Sequence, residues 1–116
     1  MKKTWTLKLR ASDMEMFDQI KSGAKSIETR AATIKYRPIE KGDTLVFSCG
    51  SKRLSRVILA KHHFSGVDAL VAKMPFKKIM PSAESVDAMK KIYASYPGYE
   101  EKIKTNGIFA FEIKSA

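Results

Sequence analysis

The chain has one cysteine in 116 residues, so it can form no internal disulfide, and Cys49 has no Cys or His neighbour at zinc-ligand spacing. Its expected role is packing. Nowhere do about 18 consecutive apolar residues occur, which excludes an ordinary membrane-spanning helix. The opening MKKTWTLKLR also lacks the apolar core of a signal peptide, and the expectation is a cytoplasmic protein. Internal repeats and low-complexity segments are absent. Around Gly23, Lys25 and Ser26 the first glycine of a phosphate-binding loop is missing, which removes ATP binding of that kind. Neither a metal site nor a cofactor motif is read from the sequence.

Acids are scarce too: 12 Asp and Glu stand against 22 Lys and Arg, a formal +10. From Thr44 to Val67 there is no acid at all, while Lys52, Arg53, Arg56 and Lys61 fall in that stretch with His62 and His63 beside them. Such an excess favours polyanionic partners through counterion release and faster encounter, and it also serves as a solubilising surface. The 44% hydrophobic content fits a single domain, 1–116, that buries roughly two thirds of its unfolded surface.

Alternation of Trp5, Leu7 and Leu9 with Thr6, Lys8 and Arg10 predicts a half-buried strand. A helix follows, with Ser12 as N-cap, Met16, Phe17 and Ile20 as its apolar face and Gly23 as its stop. Strands are then predicted at 25–30, at 44–48 after the Gly42-Asp43 turn, and within 53–64 after Gly50-Ser51. Residues 67–73 read as a short helix, and the Pro75 to Pro81 segment as a connector. A helix over 85–96 carries Val86, Met89, Ile92, Tyr93 and Tyr96 at helical spacing, and a closing strand follows Asn106-Gly107. These elements predict an α+β domain around a small, mostly antiparallel barrel with about three helices.

The segment SGAKSIETR, 22–30, concentrates polar chemistry at the change from helix to strand. In an extended chain Lys25, Ile27 and Thr29 point one way, and Ser26, Glu28 and Arg30 the other. Glu28 and Arg30 then lie about 7 Å apart, near enough to pair directly or through a ligand. Ile27 is the core anchor, and the long stem of Lys25 is expected to carry its ammonium out over the barrel end. Alternating charge on a strand is usually a solvated face. Tyr36, next to Arg37, and Tyr99 are placed to stack on a base. Of His62 and His63, adjacent on a strand, at most one can serve a given site.

The pattern Gly23-x-Lys25-x-x-Glu28-x-Arg30, followed by Lys41-Gly42-Asp43 and an apolar strand, resembles the ASCH domain, a branch of the PUA-like superfamily. RVILAKHHFSGVDALV and MKKIYASYPGYEEKIKTNGIFAFEI are similar to its later elements, so the likeness runs from about Leu7 to Ile113. It implies a PUA-like barrel whose cleft is lined by the motif. It also implies an association with RNA, with some relatives cleaving RNA or hydrolysing an acetylated cytidine nucleoside. Small amidohydrolases of that superfamily use Lys-x-x-Thr-x-Arg with a glutamate from a later helix. The lysine and arginine fall on Lys25 and Arg30, the threonine on Glu28, and the helix glutamate near Asp87. With Glu28 in place of threonine, the threonine nucleophile is lost at that position.

Three functions remain open. In the first, an RNA- or nucleotide-binding module, Lys25 and Arg30 hold a phosphate or base edge, Glu28 orients Arg30 or accepts from an exocyclic amine, and Lys52, Arg53, Arg56 and Lys61 track the backbone. In the second, a hydrolase of a modified nucleoside or of RNA, Lys25, Glu28 and Asp87 do the chemistry and Arg30 fixes the substrate. The third is a non-enzymatic adaptor in which the motif is a structural ion pair.

Overall fold

The computed structural model describes residues 2–114. Its elements are β1 (Thr4–Leu9), α1 (Met14–Ser22), β2 (Ile27–Ala31), β3 (Thr44–Cys49), β4 (Lys52–Phe64), α2 (Val67–Lys73), α3 (Phe76–Ile79), α4 (Val86–Ser95), α5 (Tyr99–Asn106) and β5 (Ile108–Ile113), and a 3-10 turn, Ala11–Asp13, leads into α1. Gly23 ends α1 in the left-handed region at φ 90°, and Ser85 caps α4 by accepting the Ala88 N–H. No helix among the described residues is long and apolar enough to cross a membrane.

The strands form one sheet in the order β1-β3-β4-β5-β2. Its curl comes from β4, whose first half pairs with β3 and whose second half pairs with β5, with one extra residue at the Ile58 to Ala60 step. A bulge of this kind bends and twists the strand that carries it. The class is α+β as expected, with two corrections. The sheet is mixed and open, a half-barrel with β1 and β2 as its edges, because β1 runs parallel to β3. Side-chain alternation carries no strand direction, and the long connection through α1 and β2 permits the parallel crossover. There are also five α-helices among the described residues, where about three were expected. The two additions are α3, a single turn following Pro75, and α5, which buries only Ile103 and so has no broad apolar stripe to read.

Both faces of the sheet are covered. Inside the curl, Leu7, Leu45, Phe47 and Phe111 pack against Phe17 and Ile20 of α1. On the outer face, Ile27, Ile108 and Ala110 pack against Leu70, Met89 and Ile103 of α2, α4 and α5. β5 therefore alternates between two cores, and β2 beside it does the same, with Ile27 and Ala31 in the outer core. Glu28 and Arg30 stand opposite Phe111 and Phe109 on the inner side.

Candidate functional site: the free edge of strand β2

Among the described residues β2 pairs only with β5. The Ile113 N–H donates to Ser26 and the Ala32 N–H to Gly107, so even-numbered residues of β2 bond to β5, and the backbone groups of Ile27, Thr29 and Ala31 face the open edge. Unpaired edges of this kind invite association with other chains. Here side chains take up most of them. The Lys25 ammonium donates to the Ile27 carbonyl at 3.0 Å and to the Ile79 carbonyl at 2.6 Å. Glu28 Oε1 accepts the Thr29 N–H at 2.9 Å, Arg30 Nη1 donates to the Thr29 carbonyl at 3.2 Å, and the Tyr99 hydroxyl accepts the Ala31 N–H at 2.8 Å. The Lys-x-x-Glu-x-Arg spacing is thus first a device that closes the edge of its own strand.

The same three side chains form a charge row. Glu28 Oε1 lies 3.8 Å from the Lys25 ammonium and 3.3 Å from Arg30 Nη1, with Lys25 only 3% and Glu28 only 2% exposed. Burial, opposed by the charge of Glu28 and helped by that of Arg30, lowers the Lys25 pKa from its ordinary value. Burial works against the Arg30 guanidinium too, but the charge of Glu28, together with the Tyr99, Tyr36 and Tyr96 phenols, outweighs it, raises the pKa and keeps that group ionised. The second carboxylate oxygen, Glu28 Oε2, is buried and has no hydrogen-bond partner among the described residues. An acceptor in that condition costs free energy unless something donates to it.

A cleft of about 290 Å³ runs along this edge, lined by Lys25, Glu28 and Arg30, with Lys8, Arg10 and Tyr36 on the β1 side and the loop after β2. Tyr93, Tyr96 and Tyr99 close the helical side. Tyr93 and Tyr99 stack at 5.9 Å, Tyr96 meets Tyr99 edge-on at 5.6 Å, and the Arg30 guanidinium lies 5.9 Å from the Tyr36 ring. The Thr29 hydroxyl shares a 2.5 Å hydrogen bond with the Tyr93 hydroxyl. Burial pushes the Tyr99 phenol up to about 12 and that of Tyr93 further, so both stay protonated.

Lys25, Glu28, Arg30 and Tyr36 are thus brought together, with one correction: the Lys25 ammonium turns inward onto two carbonyls and does not project over the barrel end. Tyr99 lines the cleft as well, whereas Asp87, Arg37, Lys52, Arg53, Arg56 and Lys61 lie outside its lining. Asp87 is exposed in the first turn of α4, where its charge acts on Lys90. Arg37 is exposed, and its carbonyl accepts from Lys61, whose ammonium also sits 4.4 Å from the Phe109 ring. Arg56 reaches the Ile20 and Lys21 carbonyls at the end of α1. Lys52 and Arg53 are exposed at the start of β4. Asp43, of the Lys-Gly-Asp turn, is structural: its carboxylate accepts the Trp5 indole at 2.8 Å and the Lys3 and Glu40 N–H groups at 3.0 Å each. The sequence reading missed Lys8, Arg10 and Tyr96 as cleft residues. Lys8 and Arg10 are ordinary outward positions of an alternating strand until the end of β1 is set beside β2.

No family model matches the chain, and no curated protein matches it significantly. Among solved structures it is similar to the crystal structure of hypothetical protein PH0355, with a TM-score of 0.82 and 28% identity over 100% of both chains. It is also similar to the solution NMR structure of protein PF0455 from Pyrococcus furiosus, with a TM-score of 0.77 and 27% identity over 96% of each chain. Both likenesses run essentially end to end, so the half-barrel with its helices is one recurring domain.

Chemically, the cleft offers one buried acceptor with no donor among the described residues, two arginines, two lysines and several phenol rings. That set suits a flat ring bearing an N–H donor, attached to an anionic group. A buried acid beside a lysine of lowered pKa is also a pairing found in proton-transfer sites.

Proposed function

We propose that this chain is an RNA- or nucleotide-binding domain of the PUA-like, ASCH type, whose β2-edge cleft holds an amino-bearing nucleobase. The observation that carries the reading is Glu28 Oε2, a buried carboxylate oxygen without a partner among the described residues, in the wall of a cleft rich in tyrosine and arginine. An exocyclic amine supplies the missing donor, tyrosines flank the ring, and Lys8, Arg10 and Arg30 take the phosphate. Lys25 is not a phosphate ligand in this reading, because its ammonium is already committed to the Ile27 and Ile79 carbonyls. It supplies charge balance for Glu28.

The test is titration of the folded protein with CMP, AMP and UMP, followed by amide and side-chain NMR shifts. CMP and AMP, with amines, are expected to bind more tightly than UMP and to shift the Glu28, Arg30 and Tyr99 signals. Equal affinity for all three, or shifts confined to β4, would reject the assigned cleft. Glu28→Gln is the matching variant: its side-chain amide presents a donor in place of one acceptor and is expected to reverse the preference.

A second reading, a hydrolase of an acylated amino nucleoside such as N4-acetylcytidine, has one observation in its favour: the lowered pKa of Lys25 beside Glu28. A neutral amine retains two N–H groups for the two carbonyls and still presents a lone pair, so its hydrogen bonding permits a base. Release of acetate from N4-acetylcytidine, lost in Glu28→Gln, would move the assignment from binding to hydrolysis.

A further inference from the structure

A second hollow of about 180 Å³ adjoins the β2-edge cleft and shares Asp13, Met16, Met80 and Tyr96 with it. Helical spacing creates it. Ser12, Glu15, Met16 and Gln19 recur at three- and four-residue intervals and so fall on one face of α1 and its leading turn, while Phe17 and Ile20 turn to the core. Across from that face stand Met80, Ser82 and Ile92. The floor is apolar and the far end polar: Gln19 Nε2 donates to Glu15 at 3.2 Å and to Ser82 Oγ at 2.6 Å, and Ser82 Oγ donates to Glu15. Gln19 Oε1 accepts from none of the described residues.

The two hollows have an ordered charge pattern. Acceptors lie at both ends, Glu28 in one and Glu15 with Gln19 in the other. Between them is Arg10, its guanidinium 5.5 Å from the Tyr96 ring and 3.2 Å from Asp13. A mononucleotide would leave the second hollow empty. The first alone falls just short of the roughly 300 Å³ at which small-molecule sites begin, whereas the two together lie within that range.

We propose that the site takes a two-base unit of single-stranded RNA. One base lies in the β2-edge cleft, the linking phosphate lies at Arg10, and the second base lies between Met16, Met80 and Tyr96, with its edge on Gln19 and Glu15. This rests on the nucleobase reading of the first cleft and adds the length and the second contact. Methionine suits such a wall, since its unbranched, polarizable chain adapts to different rings, and a glutamine amide both donates to and accepts from a base edge.

The experiment compares AMP with the dinucleotide ApA by calorimetry, in wild type and in Ser82→Trp. Position 82 is exposed, so the indole can fill the second hollow without entering the core. AMP carries more charge than ApA, so a charge effect alone would favour AMP. Wild type is expected to bind ApA about tenfold more tightly than AMP, the gain of one stacked base. In Ser82→Trp that gain is expected to vanish with AMP affinity unchanged. If AMP binds and ApA binds no better, the second subsite is wrong and the first cleft stands. A gain that survives Ser82→Trp places the second base elsewhere and overturns the proposal. If neither ligand binds, both readings fall.

Discussion

At the scale of the residue, Lys25 and Glu28 have a structural duty before any functional one. Removing Lys25 strips donors from two buried carbonyls and leaves Glu28 with one cation fewer, so Lys25→Ala is expected to cost about 3 kcal/mol in chemical denaturation. Glu28→Gln should cost less, because an amide oxygen still accepts the Thr29 N–H. In the double variant Lys25→Ala with Glu28→Gln, the loss should fall below the sum of the two single losses. Strict additivity would mean that the 3.8 Å pair contributes nothing. Asp43 gives a pH test. The Trp5 indole and the Glu40 and Lys3 N–H groups hold its folded-state pKa below the ordinary 3.8, and burial only partly opposes them. A carboxylate with a depressed folded-state value stabilises the protein fully above its unfolded value and loses that contribution as pH falls through the folded one. The stability gap between wild type and Asp43→Asn, about 2 kcal/mol at neutral pH, should therefore close as urea midpoints are measured down to about pH 2. A gap unchanged by acid would show that those hydrogen bonds do not depend on the charge.

At the scale of the element, β2 explains both what could be read from the chain and what could not. Its extended form, the shared face of Glu28 and Arg30 and the burial of Ile27 follow from alternation, and all are observed. That β2 is an edge does not follow, since edge or centre depends on which strands lie beside it. The inward turn of Lys25 was hidden for the same reason: its acceptor at Ile79 lies 54 positions along the chain. The α5 helix was missed because YEEKIKTN is polar nearly throughout, yet it carries Tyr99, whose hydroxyl seals the Ala31 N–H. Asp87 was drawn toward the site by its distance along the chain from Tyr96-Pro97, but the face of α4 that meets β2 is the one with Tyr93. Tyr99→Phe keeps the ring stack and removes only the acceptor. It is expected to cost about 1 kcal/mol and to raise hydrogen exchange at the Ala31 amide more than at Ala32, which bonds to Gly107. Equal exchange at the two would mean that water replaces the phenol at no cost.

At the scale of the whole molecule, the +10 charge is less concentrated on one ligand path than the acid-free stretch implies. Of its basic residues, Arg56 is tied to the end of α1, Lys61 to the Arg37 carbonyl and the Phe109 ring, and only Lys52 and Arg53 are free at the β3–β4 turn. The bases that line the cleft beside the buried Lys25 are Lys8, Arg10 and Arg30. These alternatives separate in the salt dependence of RNA affinity. A single strand held by three phosphate contacts should give a slope of log K against log salt near −2, since each contributes about −0.7. A strand that also followed the β4 lysines and arginines would be steeper than about −4 by the same rule. With a short oligonucleotide the slope is expected near the lower value. Lys52→Glu with Arg53→Glu should leave it unchanged, while Lys8→Ala should reduce it by about one contact. A steep slope that collapses in the Lys52 and Arg53 variant would instead make the β3–β4 turn the principal anchor, and the cleft a pocket for whatever base that anchor presents.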